Sequence, residues 1–170
     1  IIGEEAGQRF RPISAVFDGV AELRRIFAEA HPLFEAGQAT LLFVDEIHRF
    51  NKAQQDALLP AIEEGMIRLI GATTENPSFS LNSALLSRVQ VLVLNALDAS
   101  ALDQLIGRAE AHIGKPLPLE EGARQAVIGM ADGDGRYLIN LMETILELCQ
   151  DGQPPLDAEG LGQLLSKRAL

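Results

Sequence analysis

Two carboxylates stand side by side at Asp45 and Glu46, directly after an apolar run in the stretch LLFVDEIHRF. Ionised neighbours repel each other and resist leaving water, so the pair costs free energy unless a cation or solvent sits beside it. At the end of a strand the two side chains alternate in direction. One can then hold a hydrated Mg²⁺ while the other orients a water. Nucleoside triphosphate hydrolysis needs that division, because positioning and charge neutralisation supply most of its catalysis. Taken alone, the pair reads as readily as an acidic strand end facing solvent.

Other polar groups stand in similar places. IRLIGATTENPSF runs from an apolar stretch into Thr73, Thr74, Glu75 and Asn76, small polar groups that could meet a phosphate or a catalytic water. Asn76-Pro77 is equally ordinary turn chemistry. Arg88 closes NSALLSR; it is either a solvated charge or a cation for the transferring phosphoryl group of a neighbouring subunit. Arg136, in ADGDGRYLINLMETI, begins a helix, where a cation does not favour the macrodipole. His31, His48 and His112 fall on separate elements without ligand spacing, which argues against zinc. His48 is expected to pack beside the strand ending in the acid pair and couple it to neighbours. Cys149 is the only cysteine, so no internal disulfide forms and a reducing compartment is expected. On an apolar helix it reads as a small core residue.

These residues must be held by a core, and the composition supplies one. The 170 residues are 47% hydrophobic and 22% charged, enough for one large domain or a domain with a small companion. The net charge of −10 argues against a chain coated in nucleic-acid-binding charge, and leaves room for a local basic patch. No apolar stretch is long enough to span a bilayer, and no repeat or signal-peptide pattern is visible. The chain opens on Ile1, and IIGEEAGQRF reads as the tail of a helix, so it is expected to be a piece of something longer.

Periodicity places the elements. A short strand is expected over 10–17, with Pro12 suited to a sheet edge. A helix over 18–37 follows, with Asp18 as N-cap, Pro32 ending or kinking it and Gly37 closing it. TLLFVDEI (40–47) reads as a strand buried on both faces. NKAQQDALLPAIEEG reads as a helix opened by an Asn51–Gln54 capping box, with Ala57, Leu58 and Ile62 inward. A buried strand over 67–75, a short helix over 82–88 and a strand over 89–97 come next. After Asp98 the texture becomes amphipathic and helical, near 99–113, 119–131, 135–150 and 157–168, with Leu138, Leu141, Ile145 and Leu148 as a core stripe. Strand–helix alternation followed by helices predicts an α/β layer with a parallel sheet over 1–97 and a small all-α domain over 98–170.

DEIHRFNK, QQDALLP, GATTENPSF and NSALLSR, with ISAVFDGVAELR and GDGRYLINLMETI, together resemble the AAA+ ATPases of the replication-associated recombination protein A family, which is similar to the eukaryotic Werner-helicase-interacting protein. The resemblance runs from about residue 10 and weakens after 150. It implies a partial AAA+ P-loop NTPase sheet followed by a helical lid, and a role in replication-fork maintenance, recombination and repair. It further implies that Asp45 is the Walker B aspartate at Mg²⁺, that Glu46 polarises the attacking water, and that Thr74 is the first sensor, Asn76 being a second candidate. Arg88 would be an arginine finger acting in trans, in a segment like the Ser-Arg-Cys motif of clamp loaders, where Val89 replaces the cysteine. Arg136 would be the second-sensor arginine reaching the γ-phosphate of ATP. Gly135 departs from the family pattern and, at about 1 kcal/mol of helix propensity, is expected to loosen the lid's first turn. The implied partners are fork or junction DNA, single-strand-binding protein and further copies of the chain, a tetramer among them, in the cytoplasm at the nucleoid. A clamp-loader ATPase subunit and a non-hydrolysing AAA+ scaffold are the competing readings.

The phosphate-binding loop, G-x-x-x-x-G-K-S/T, does not occur in these residues; the only Gly-Lys is Gly114-Lys115, followed by Pro116. In the family it lies upstream of where this chain begins, fed by a strand that sits between the fourth and fifth strands of the sheet. The strand expected over 89–97 would then face a gap, and the 170 residues alone are expected to be marginally stable or aggregation-prone.

Overall fold

The computed structural model describes residues 7–149 and 153–166. The helix end expected over 1–8 lies outside these except for Gly7 and Gln8, which are not helical. The chain divides into two compact units, the first ending at Leu92 and the second beginning at Val93.

The first unit is built on a parallel sheet of β1 (Arg9–Ser14), β2 (Thr40–Asp45) and β3 (Ile67–Gly71), in that order. Arg9 registers with Thr40, and Thr40 with Ile67. β2 is central, and Leu41, Leu42 and Val44 are buried, as its unbroken apolar run requires. β1 is an edge strand, where Pro12 can lack an N–H without breaking an interior ladder. It stops at Ser14, short of the expected residue 17, because Phe17 and Asp18 donate their N–H groups back to the Ser14 carbonyl. Asp18 is not a helix N-cap; its Oδ2 accepts from the Ser14 N–H at 2.8 Å and closes this turn, leaving Gly19 as the cap of α1 (Val20–Glu35).

Helix α1 buries Leu23, Ile26 and Ala30, while Val20 stays exposed. Pro32 does not end it. The carbonyl of Ala28, four residues back, loses its partner, but Ala28 is exposed and water can serve it. The helix stops at Glu35, and Gly37 takes φ +84 with its N–H on the Phe34 carbonyl. A 3₁₀ turn (Ile47–Arg49) leads from β2 into α2 (Lys52–Glu63). The capping box forms: Gln54 N–H donates to Asn51 Oδ1 at 3.0 Å, and Asn51 N–H to Gln54 Oε1 at 2.9 Å. The inward line of α2 is Gln55, Leu58 and Ala61, with Ala57 and Ile62 only half-buried.

β3 is shorter than expected and not buried on both faces. It is the other edge of the three described strands, and only Ile67 along it is fully buried. Two single-turn helices follow, α3 (Pro77–Ser80) and α4 (Ser83–Leu86), capped by Asn76 and Asn82. The strand expected over 89–97 does not form. A strand exists only through its ladder, and no described strand pairs with this segment, which stays irregular with Val91, Leu92, Val93 and Leu94 exposed.

The second unit contains α5 (Ala99–Ile113), α6 (Glu121–Ala131), α7 (Gly135–Leu148) and α8 (Ala158–Ser166). Leu102, Ile106, Val127, Leu138, Ile145 and Leu161 form its core. Leu148 is exposed, so the expected stripe ends one turn earlier, at Ile145. The start of α7 is not loose. Asp134 Oδ1 accepts from the N–H groups of Arg136 and Tyr137 at 2.8 and 2.9 Å. A Cβ on Gly135 would lie 3.0 Å from Leu97 Cδ1 and 3.1 Å from Leu105 Cδ2, so the glycine permits close packing. Arg124 binds Asp103 at 2.7 Å and Glu110 at 3.0 Å; burial works against its charge, and these two acids outweigh it and raise its pKa. Cys149 caps α7, half-buried, and burial pushes its thiol pKa up. Among the described residues no helix is long and apolar enough to cross a membrane.

Candidate functional site

The site is built at the C-terminal end of β2, where open parallel sheets present their ligands' groups. The strand ends on exposed Asp45, whose carbonyl accepts from the Ala15 N–H at 2.9 Å. Glu46 then takes φ 52, ψ 44, the left-handed region. For a residue with a Cβ this costs about 1 kcal/mol. The two acids are therefore separated by a reversal of the backbone and not, as the sequence suggested, by the pleat of a continuing strand.

The reversal is pinned from below. Ile47 donates its N–H to the Ala72 carbonyl at 2.9 Å, and Ala72 donates to the Val44 carbonyl at 2.9 Å. The buried Ile47 side chain lies on Gly71, where a Cβ would stand 2.9 Å from Ile47 Cδ1. Gly71 thus sets how closely the turn after β2 approaches β3.

Four side chains gather above this turn. Thr74 Oγ1 donates to Glu46 Oε2 at 3.4 Å. His48 Nδ1 lies 3.2 Å from the same oxygen and 2.9 Å from Thr73 Oγ1. Glu75 N–H donates to Thr73 Oγ1 at 3.0 Å, and Glu75 Oε1 is 3.6 Å from His48 Nε2. The structure therefore brings Thr74 and Glu46 together. Asn76 is occupied elsewhere, its Oδ1 accepting from the Ser78 N–H at 3.0 Å.

Arg88 lies exposed just beyond α4. Its Nε donates to Glu63 Oε1 at 2.7 Å and its Nη1 to the Ala84 carbonyl at 2.8 Å and Ser87 Oγ at 3.0 Å. The segment that carries it is tied to α2 by buried Gln55, which donates to the Phe50 and Ser80 carbonyls at 2.9 and 3.1 Å and accepts from Asn82 N–H at 2.8 Å. Arg136 belongs to the second unit, exposed in the first turn of α7.

Of the residues singled out in the sequence, the structure places Thr74 against Glu46 and leaves Arg88 and Asn76 with other partners. Sequence reasoning missed the roles of Thr73, Gln55 and Glu63. A glutamine on the inward line of an amphipathic helix looks like a surface residue until its three partners are seen.

Among the described residues no group of three or more His, Cys, Asp or Glu is placed to hold a metal. A lone exposed carboxylate such as Asp45 nevertheless suits Mg²⁺, which keeps most of its waters and takes further ligands from substrate phosphates.

Residues 5–97 match the model of the ATPase family associated with various cellular activities (AAA). Replication-associated recombination protein A of Coxiella burnetii is 49% identical over 154 residues, covering 86% of this chain and 34% of that protein. The protein of the same name from Escherichia coli K12 is 40% identical over 177 aligned positions, covering 99% of this chain and 40% of that protein. The chain thus spans about a third to two fifths of the length of these relatives. The Thermotoga maritima RuvB Holliday junction branch migration motor superposes with a TM-score of 0.75 at 23% identity, over 98% of this chain and 55% of that one, and so shares its fold. The chain belongs to the ATPase family associated with various cellular activities, in the branch that contains replication-associated recombination protein A.

Proposed function

We propose that the protein carrying this chain hydrolyses ATP with Mg²⁺ and uses the cycle to remodel DNA at replication forks. The observation that carries the catalytic half is the contact of Thr74 Oγ1 with the Glu46 carboxylate, at a strand end that also presents Asp45. Asp45 is the residue that would hold Mg²⁺, whose chemistry is to neutralise charge on the transferring phosphoryl group. Glu46 accepts a proton from the attacking water and Thr74 keeps its carboxylate in place. Arg88, exposed and paired with Glu63, leaves that carboxylate to reach the ATP of an adjacent subunit, a role that requires a homo-oligomer. Arg136, exposed in the first turn of α7, is the proposed second-sensor arginine for the γ-phosphate.

The relatives' names carry replication and recombination; the fork and the DNA are what the family resemblance implies. With a net charge of −10, DNA binds at a local basic patch or within the oligomer and not over the whole surface. Single-strand-binding protein as a partner and a place at the nucleoid in the cytoplasm belong to the same proposal.

The test is Glu46→Gln in the full-length protein. Turnover falls by about 100-fold or more while ATP affinity stays within a few-fold, because only the proton acceptor is removed. Hydrolysis near the wild-type rate would refute the assignment. Arg88→Ala lowers turnover and leaves ATP binding by an isolated subunit intact; equal loss of both would sink the role in trans.

A further inference from the structure

We propose that His48 is a positioning residue for Glu46, holding its carboxylate and linking it to the loop at the tip of β3; this rests on Glu46 being the proton acceptor. The imidazole side chain is only 5% exposed, yet each ring nitrogen faces a carboxylate: Nδ1 is 3.2 Å from Glu46 Oε2 and Nε2 is 3.6 Å from Glu75 Oε1. A histidine kept only for packing has no reason to sit between two acids.

Nδ1 has two oxygens within reach and can serve one of them with a proton. Thr73 Oγ1 is at 2.9 Å and already accepts the Glu75 N–H, so its own proton is free to point at the ring. Two arrangements follow. With the proton on Nδ1, its hydrogen bond runs to Thr73 Oγ1, and the N–H dipole lies beside Glu46 Oε2, 3.2 Å from the nitrogen, and favours the carboxylate electrostatically. With Nδ1 bare, Thr73 donates to its lone pair, and the ring offers Glu46 Oε2 no proton. Residues 73–75 thus act on Glu46 directly through Thr74 and indirectly through His48, by Thr73 and Glu75. A shift of that loop changes the hold on the carboxylate without moving β2.

The experiment compares His48→Asn, His48→Gln and His48→Ala in the full-length protein, with Glu46→Gln in parallel. The Asn amide reaches about as far as Nδ1, and the Gln amide about as far as Nε2. His48→Ala and His48→Gln should lower kcat by about 10- to 100-fold with ATP affinity within about 3-fold of wild type, as expected for a misplaced catalytic carboxylate. His48→Asn should recover most of kcat. Equal activity of the Asn and Gln variants would overturn the inference, as would parallel loss of kcat and ATP binding in both. An inactive Glu46→Gln beside either result leaves the reading of Glu46 standing and refutes His48 alone. Turnover that survives Glu46→Gln overturns both. If the alanine variant does not fold, the Asn–Gln comparison still decides.

Discussion

Gly71→Ala should disturb the site from beneath without touching a polar group. The new Cβ would stand 2.9 Å from Ile47 Cδ1, 3.1 Å from Cγ2 and 3.5 Å from Cβ. Carbon atoms rest at about 3.5–4.0 Å, so two contacts are too close by roughly 0.5–1 Å. Cδ1 can swing away. Cγ2 cannot, because it is fixed on the branched carbon of a buried side chain. Relief therefore requires a shift of the Ile47 backbone, at about 1–3 kcal/mol. Ile47→Val removes Cδ1 and by itself costs about 0.5–1.5 kcal/mol. With both changes the closest clash disappears, so the double variant should be less destabilised than the sum of the singles by about 1 kcal/mol. Native-state hydrogen exchange at the Ile47 amide, which donates to the Ala72 carbonyl, reads this locally in a protein too large for a two-state analysis. Turnover should follow, since Glu46 is the next residue. Strict additivity, or a neutral Gly71→Ala, would show that the turn does not rest on Gly71.

Three further outcomes are expected. Gln55→Leu removes three hydrogen bonds at about 1 kcal/mol each, so roughly 3 kcal/mol of local stability is lost and the Asn82 amide exchanges faster; unchanged Asn82 protection would contradict this. Arg124→Leu strands partly buried Glu110 and Asp103 and should weaken the helical unit by about 1–3 kcal/mol, between the values for exposed and buried pairs. Because the Arg124 pKa is raised, its contribution is present at all lower pH and fades only as pH climbs through the guanidinium range; the loss should be constant over about pH 6–9, and a loss confined to one end of that span would argue against it. Cys149, its thiol pKa raised by burial, should react with iodoacetamide more slowly than free cysteine at neutral pH, and faster alkylation would contradict the burial.

What the sequence made legible is what local chemistry specifies. The apolar run of β2, the Asn51–Gln54 box and the four helices after Asp98 are written in neighbouring residues, and they form. What it hid depends on partners far along the chain. VQVLVLNAL carries strand propensity, but a strand needs a neighbour, and none of the described strands provides one. Pro32 looked like a terminator because the exposure of Ala28, which lets water satisfy the freed carbonyl, is a tertiary fact. In the candidate site the acids were visible because adjacent carboxylates are unusual after an apolar run. The tie of His48 to Thr73 was not, since 25 residues separate them.

With Glu46 as the proposed proton acceptor, its left-handed turn sets stability against activity. Glycine, which carries no Cβ, would adopt this φ more comfortably, and asparagine would tolerate it better than glutamate. A library screened only for heat resistance should therefore enrich glycine or asparagine at position 46, gaining up to about 1 kcal/mol while discarding the carboxylate. The same library screened for turnover as well as heat resistance should return glutamate, as the role proposed for Glu46 requires.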